Sequence, residues 1–241
     1  MKRYFFINET GKQGDHLTID GQEHTHISKV LRLRIGDEIV CLPNDGSLLN
    51  STIISIDKSK TIVRVDSIEH PDVESHTRLT VYVAMPKGDK FEFLITKLTE
   101  IGVARIVPFE SEYIVAKPLN KKDRYLTIAK EACKQCRRTR LIEVDEPMSF
   151  DKMLDSIKEY DVVVFASELE KEHTINELDF TGVKNVAVII GSEGGFSERE
   201  ANQIVSQGAV SITLGKRILR AETAGLVVPA IVQYMLGEFA R

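Results

Sequence analysis

Val186-Ala187-Val188-Ile189-Ile190-Gly191-Ser192-Glu193-Gly194-Gly195-Phe196-Ser197-Glu198-Arg199-Glu200 reads as three segments in succession. The apolar run from Val186 to Ile190 lacks alternation, as expected of a short strand buried on both faces. Gly191, Gly194 and Gly195 fall within five positions and permit positive φ and close approach of backbone to a ligand. Ser197-x-x-Glu200 is a capping box, so a helix begins at about Glu198. Strand, glycine loop and helix form one unit of a parallel α/β sheet, and such sheets bind ligands beyond the carboxyl ends of their strands. The Gly-x-x-Gly-Gly spacing matches neither the dinucleotide fingerprint nor the phosphate-binding P-loop. Taken alone, a structural tight turn would also account for it.

The same grammar extends in both directions. Upstream, Thr80–Met85, Arg105–Phe109 and Asp161–Ala166 are apolar strand candidates, and downstream Val210–Leu214 completes the series. Phe91, Leu94, Ile95, Leu98 and Ile101 recur at helical spacing between the first two. The expected class is therefore α/β, a parallel sheet with helices on both faces. Each of the last three strands ends in an unusual loop: Ser167-Glu168, then Gly191–Glu200, then Gly215-Lys216-Arg217-Ile218-Leu219-Arg220-Ala221-Glu222-Thr223-Ala224. Lys216, Arg217 and Arg220 crowd beside Glu222 and Thr223, and charge at a strand end beside a glycine loop suggests a site. An ordinary first helical turn with an exposed Arg220 is the competing account. The final segment, Ala224 to Met235, is apolar nearly all round and carries Gly225 and Pro229, which weaken or kink a helix. A face of it left uncovered would need a partner, and a homodimer is the economical one.

From Lys2 to about Glu69 the chain instead shows short β-type runs separated by turn signals, with Asn44-Asp45-Gly46 as a hairpin signal. A small β-barrel or sandwich follows from this spacing. Glu69 to His76 loses apolar periodicity and holds Pro71, so a linker is expected there. The division is residues 1–72 and 73–241.

The chain has 241 residues, 42% hydrophobic and 28% charged, which excludes a disordered tail or fibre. Its apolar runs fall far short of the roughly 20 residues that span a bilayer, and Lys2 to Ile7 turns polar at Asn8, too early for an export signal. Three cysteines make no disulfide framework, so a cytoplasmic location is expected. Net charge is −4, yet residues 121–140 hold eight bases against Asp123 and Glu131. That excess attracts phosphate, although a solvated helix face would look the same. Cys133-x-x-Cys136 has no second Cys or His pair nearby, and His24, His26 and Cys41 read as polar surface or RNA contact, so no metal is expected. No Ser-His-Asp or Cys-His set stands out for nucleophilic catalysis.

Ile190-Gly191-x-Glu193-Gly194-Gly195-Phe196-Ser197-x-x-Glu200, followed by Leu214-Gly215-x-Arg217-Ile218-Leu219-Arg220-x-Glu222-Thr223-Ala224, resembles the RsmE family of SPOUT methyltransferases. Upstream, Lys97-Leu98-Thr99-Glu100-Ile101-Gly102-Val103 with Pro108, Glu131-Ala132-x-x-Gln135 with Arg137, and His26-x-x-Lys29-Val30-Leu31-Arg32 with Gly36-Asp37 extend the match over nearly the whole chain. The chain departs from the pattern at Ser192, where the family usually has proline, at Tyr113, where it carries an arginine, and at Cys136, where it carries a serine. The run containing Tyr113 differs as far as Ile114.

The resemblance implies an N-terminal PUA-like barrel that helps hold RNA and a SPOUT domain whose last segment forms a trefoil knot. It implies methylation of N3 of one uridine of 16S ribosomal RNA in the small subunit, with S-adenosylmethionine as cofactor and a homodimer completing the site. Carried over by motif, Ser167, Glu168, Ile190, Gly191, Glu193, Gly194, Gly195, Leu214, Gly215, Ile218, Leu219 and Thr223 would hold the cofactor. Methyl transfer to N3 requires a developing imide anion to be stabilised. Arg220 is the candidate for that role, with Glu193 or Glu222 orienting it or relaying the proton. Lys29, Arg32, Arg34, Lys130, Lys134, Arg137, Arg138 and Arg217 are candidate RNA contacts. A non-catalytic RNA-binding assembly factor and a ribose 2′-O-methyltransferase of another SPOUT branch remain open beside this.

Overall fold

The computed structural model describes residues 2–113 and 121–240, so Ile114 lies outside the described residues. The chain divides into two compact units. One comprises the chain up to Glu74 together with Cys133–Leu141; the other comprises Ser75–Ala132 and the chain from Ile142 onward. A division at residue 72 therefore misses one segment, because Cys133 to Leu141 packs with the first unit. The cause lies in its side chains and amides. Cys133 is fully buried among Phe6, Val40, Leu42 and Leu48. The carboxylate of Glu74 accepts the backbone N–H groups of Thr139 and Arg140 and an ion pair from Arg138 at 2.8 Å.

The first unit contains β1 (Tyr4–Phe6), β2 (His16–Ile19), α1 (Gly21–Thr25), a π-helical turn (His26–Val30), β3 (Glu38–Leu42), β4 (Leu48–Ile56) and β5 (Thr61–Glu69). Its sheet runs β1-β3-β4-β5-β2, parallel only between β1 and β3. Bulges at Asn50/Ser51 and Ile53/Ser55 bend β4 against β5, so the sheet curls around Phe5, Leu17, Ile27, Ile39, Ile53 and Val63. Asn44 and Gly46 take positive φ in the β3–β4 turn, as the hairpin signal requires.

The second unit is built on β6 (Arg78–Ala84), α2 (Lys90–Glu100), β7 (Arg105–Glu110), α3 (Lys122–Cys136, whose last residues belong to the first unit), β8 (Glu143–Val144), β9 (Met148–Ser149), α4 (Phe150–Ser156), β10 (Val162–Ala166), β11 (Asn185–Ile190), α5 (Glu198–Ser206), β12 (Val210–Ile212) and α6 (Ala221–Met235). All its strand pairs are parallel, in the order β12-β10-β11-β6-β7-β8, with β9 also on β7. Apolar clusters cover both faces, one around Leu94, Leu98, Val188 and Val228, the other around Phe109, Phe165, Ile189 and Ile204. This two-sided burial is why the strands are continuous apolar runs. α6 runs unbroken through Pro229, which is buried. No helix among the described residues is long and apolar enough to cross a membrane.

Candidate active site

β10, β11 and β12 lie side by side and end at the same edge of the sheet, so the three loops that follow them converge. They enclose a cleft of about 390 Å³, within the range for small-molecule sites. Of the candidate cofactor residues, Ser167, Glu168, Ile190, Gly191, Gly195, Leu214, Gly215, Ile218 and Leu219 line it, whereas Glu193, Gly194 and Thr223 do not. Arg217, expected on the RNA side, lines the cleft instead.

The glycines are there for space as well as conformation. Gly195 has φ +69°, and a Cβ on it would run into the Glu168 carboxylate. A Cβ on Gly191 would lie 2.8 Å from Phe196 Cε2. Phe196 is the pin of this loop: it is buried, stacks on Phe109 at 6.2 Å and meets Phe165 edge-on at 5.1 Å. A Cβ on Gly194 would lie 2.9 Å from Cβ of Tyr113, so that loop and the Tyr113 segment are in close contact. The loop after β10 is shaped by Glu170, whose carboxylate accepts the N–H groups of Lys171, Glu172 and His173. Those bonds, chiefly from Glu172 and His173, hold its pKa down to about 2.

The acidic candidates share a partner that sequence reasoning missed. Lys90, the first residue of α2, places Nζ 2.7 Å from Glu193 Oε1 and 3.1 Å from Glu222 Oε2. Burial opposes charge on Glu193, but the bonds from Lys90 and backbone N–H groups prevail and hold its pKa below the ordinary range. Glu222 is lowered by its own backbone N–H, then by Lys90 and by the charge of Arg220. The Lys90 pKa is raised in turn, by Glu193 first and then by Glu222. Nothing in the spacing of Lys90 distinguishes it from the other lysines, which is why the sequence does not reveal it. Arg220 is the exposed N-cap residue of α6 and lies outside the wall of the cleft.

The basic candidates separate into two groups. Lys29, Arg32, Arg34 and Arg137 are exposed and Lys130 is half-buried. Arg32 and Arg137 sit at φ +50° and +66°, an uncommon conformation for side chains of that size. Lys134 and Arg138 do not belong to a free basic face. The Lys134 side chain is 10% exposed, pairs with Glu23 at 2.8 Å and lies over the Phe5 ring, while the Arg138 side chain is 7% exposed against Glu74. Their partners come from α1 and from the end of the first segment, too far off in sequence for a charge count to detect. His24 is buried with Nδ1 2.9 Å from Thr61 Oγ1, so it is a core polar pair rather than surface.

The sheet and cleft are those of an RNA methyltransferase domain: the family model of that description matches residues 73–233, and a model of the RNA methyltransferase PUA domain matches residues 19–66. The chain is 32% identical to ribosomal RNA small subunit methyltransferase E of Bacillus subtilis, covering 97% of this chain and 96% of that one. It belongs to the ribosomal RNA small subunit methyltransferase E family. Among solved structures, a Legionella pneumophila methyltransferase in complex with the cofactor SAM superposes with a TM-score of 0.89 at 26% identity, covering 97% of this chain and 98% of that one. A ribosomal RNA small subunit methyltransferase E from Neisseria gonorrhoeae bound to S-adenosyl methionine shares the fold at TM-score 0.87 and 24% identity, covering 98% of each chain.

Proposed function

We propose that this protein methylates N3 of a uridine in 16S ribosomal RNA of the small subunit, in the cytoplasm, with S-adenosylmethionine as the methyl donor. The observation that carries the reading is the cleft at the ends of β10, β11 and β12, lined by the loop from Leu214 to Leu219 and by Gly191 and Gly195. The residues present suit this cofactor. Ile190, Leu214, Ile218 and Leu219 offer apolar contact for a purine ring, and the glycine positions let main-chain N–H and C=O groups approach its polar edge. The sulfonium supplies an electrophilic methyl group when bound.

The chain's own groups would do the rest. Uracil N3–H is only weakly acidic, so a cation near O2 or O4 lowers the cost of the imide anion. Arg220, projecting from the start of α6, is assigned that role. Glu193 and Glu222, both held ionised, orient it or accept the proton. Lys29, Arg32, Arg34, Lys130 and Arg137 are assigned to RNA phosphates, and Arg217 to the boundary between cofactor and RNA. Exposed Tyr234 on α6 and Phe93 on α2 give two protomers an apolar surface on which to pair. A threaded, knotted path of the last segment belongs to the same reading.

Purified protein incubated with labelled S-adenosylmethionine and unmodified small subunits, followed by digestion and mass spectrometry, tests this directly. 3-Methyluridine is expected. A methyl group on ribose would overturn the assignment of the nucleophile, and binding of cofactor without transfer would overturn the substrate.

A further inference from the structure

α2 supplies no residue to the wall of the cleft, yet its first side chain reaches two of the segments beside it. Lys90 is bonded to Glu193 in the glycine loop and paired with Glu222 in the first turn of α6. The side chains of the three are 31%, 29% and 21% exposed, so water screens them only in part. We propose that Lys90 is a positioning residue for the methyl-transfer site: its ammonium ties the glycine loop to the start of α6 and so fixes Arg220 relative to the cofactor cleft. This rests on the reading of the cleft given above.

Three observations separate this from an incidental surface pair, which would contribute little. First, one cation serves two carboxylates carried on different segments, the glycine loop and the first turn of α6, both within 3.1 Å of its Nζ, and like charges brought that close disfavour each other without it. Second, the backbone of Lys87 adds to Lys90 in holding the Glu193 pKa low, so the approach to α2 as well as its first residue favours the charged carboxylate. Gly88, at φ +63°, turns the chain between Lys87 and Lys90. Third, Arg220 is the N-cap of α6 and its carbonyl accepts the N–H groups of Thr223 and Ala224, so the turn that carries Glu222 also carries Arg220. The charged groups facing Lys90 are Glu193 from the loop and Glu222 from α6, with Arg220 next to Glu222.

The test uses the full chain as wild type, K90M, K90R, E193Q and the K90M/E193Q double variant. Affinity for S-adenosylmethionine is measured by calorimetry, turnover on small subunits by label transfer, and folding by thermal melting. K90M is expected to bind the cofactor about fivefold more weakly, with turnover reduced to at least that extent and the melting temperature nearly unchanged. K90R should restore most of both. In the E193Q background K90M should cost clearly less, because one of the two carboxylates is already neutral. Wild-type affinity and turnover in K90M, or an equal cost in both backgrounds, would overturn the inference alone. A wild-type protein that binds no cofactor would overturn the reading of the cleft and this inference with it.

Discussion

The Glu200 carboxylate, 1% exposed, accepts the backbone N–H of Glu112 at 2.8 Å across 88 positions of sequence. Its other oxygen accepts the N–H of Ser197 at 3.1 Å and closes the capping box of α5. Ser197 Oγ lies 2.9 Å from Glu112 Oε2, so the two segments are joined in both directions. A capping residue, which ordinarily serves only its own helix, here also anchors the Ser111–Tyr113 segment beside the glycine loop.

Truncating Glu200 should therefore cost more than a lost cap. Glu200→Ala leaves the buried N–H of Ser197 and the part-buried N–H of Glu112 without their carboxylate acceptor, and a loss of about 2–3 kcal/mol of unfolding free energy is expected. Chemical denaturation measures it, and a loss below about 1 kcal/mol would show that water replaces the carboxylate.

Gly195→Ala should weaken cofactor binding by about tenfold or more, because it combines positive φ with a collision at Glu168. Isothermal titration with S-adenosylmethionine reads the effect. Glu168→Ala in the same background relieves the collision but not the backbone strain, and should recover only part of the loss.

The two groups of basic residues should respond differently to salt. Replacing Lys29, Arg32 and Arg34 with alanine is expected to lower the slope of log affinity for RNA against log salt by about 0.7–0.9 for each phosphate contact removed. Lys134→Met should leave that slope unchanged and instead lower the stability of the first unit, since it leaves Glu23 half-buried without its cation. A reduced slope in Lys134→Met would place that side chain on the RNA after all.

Acid should loosen the loop after β10. The Glu170 carboxyl lies near 2 rather than its usual 4.5, so its contribution is complete above about 4.5 and is lost as pH falls toward 2. Glu170→Gln should flatten the decline of melting temperature across that window, and an unchanged profile would show that the loop's bonds do not contribute to the melting transition.

Much of the second unit was legible because its strands are buried on both faces and so appear as unbroken apolar runs, as at Val186–Ile190. The α2 stripe from Phe91 to Leu98 and the Ser197/Glu200 box were equally plain, being local patterns of fixed spacing. What stayed hidden was the pairing of charges across the chain. Lys90, Lys134 and Arg138 are alike in charge, and only the fold shows that the first bridges the glycine loop and α6 while the others pair inside the first unit. Gly225 and Pro229 were both expected to weaken or kink α6, but the helix runs unbroken from Ala221 to Met235.

The discontinuity of the first unit has a consequence for synthesis on the ribosome. Cys133 to Leu141 leaves the exit tunnel long after β5, so the curled sheet must wait with Phe6, Val40 and Leu42 still uncovered while most of α2, β7 and α3 is being made. Glu74 meanwhile lacks the amides and the guanidinium that it later holds. The N-terminal portion is thus a provisional structure during translation, and its completion is timed by the arrival of a segment from the middle of the chain.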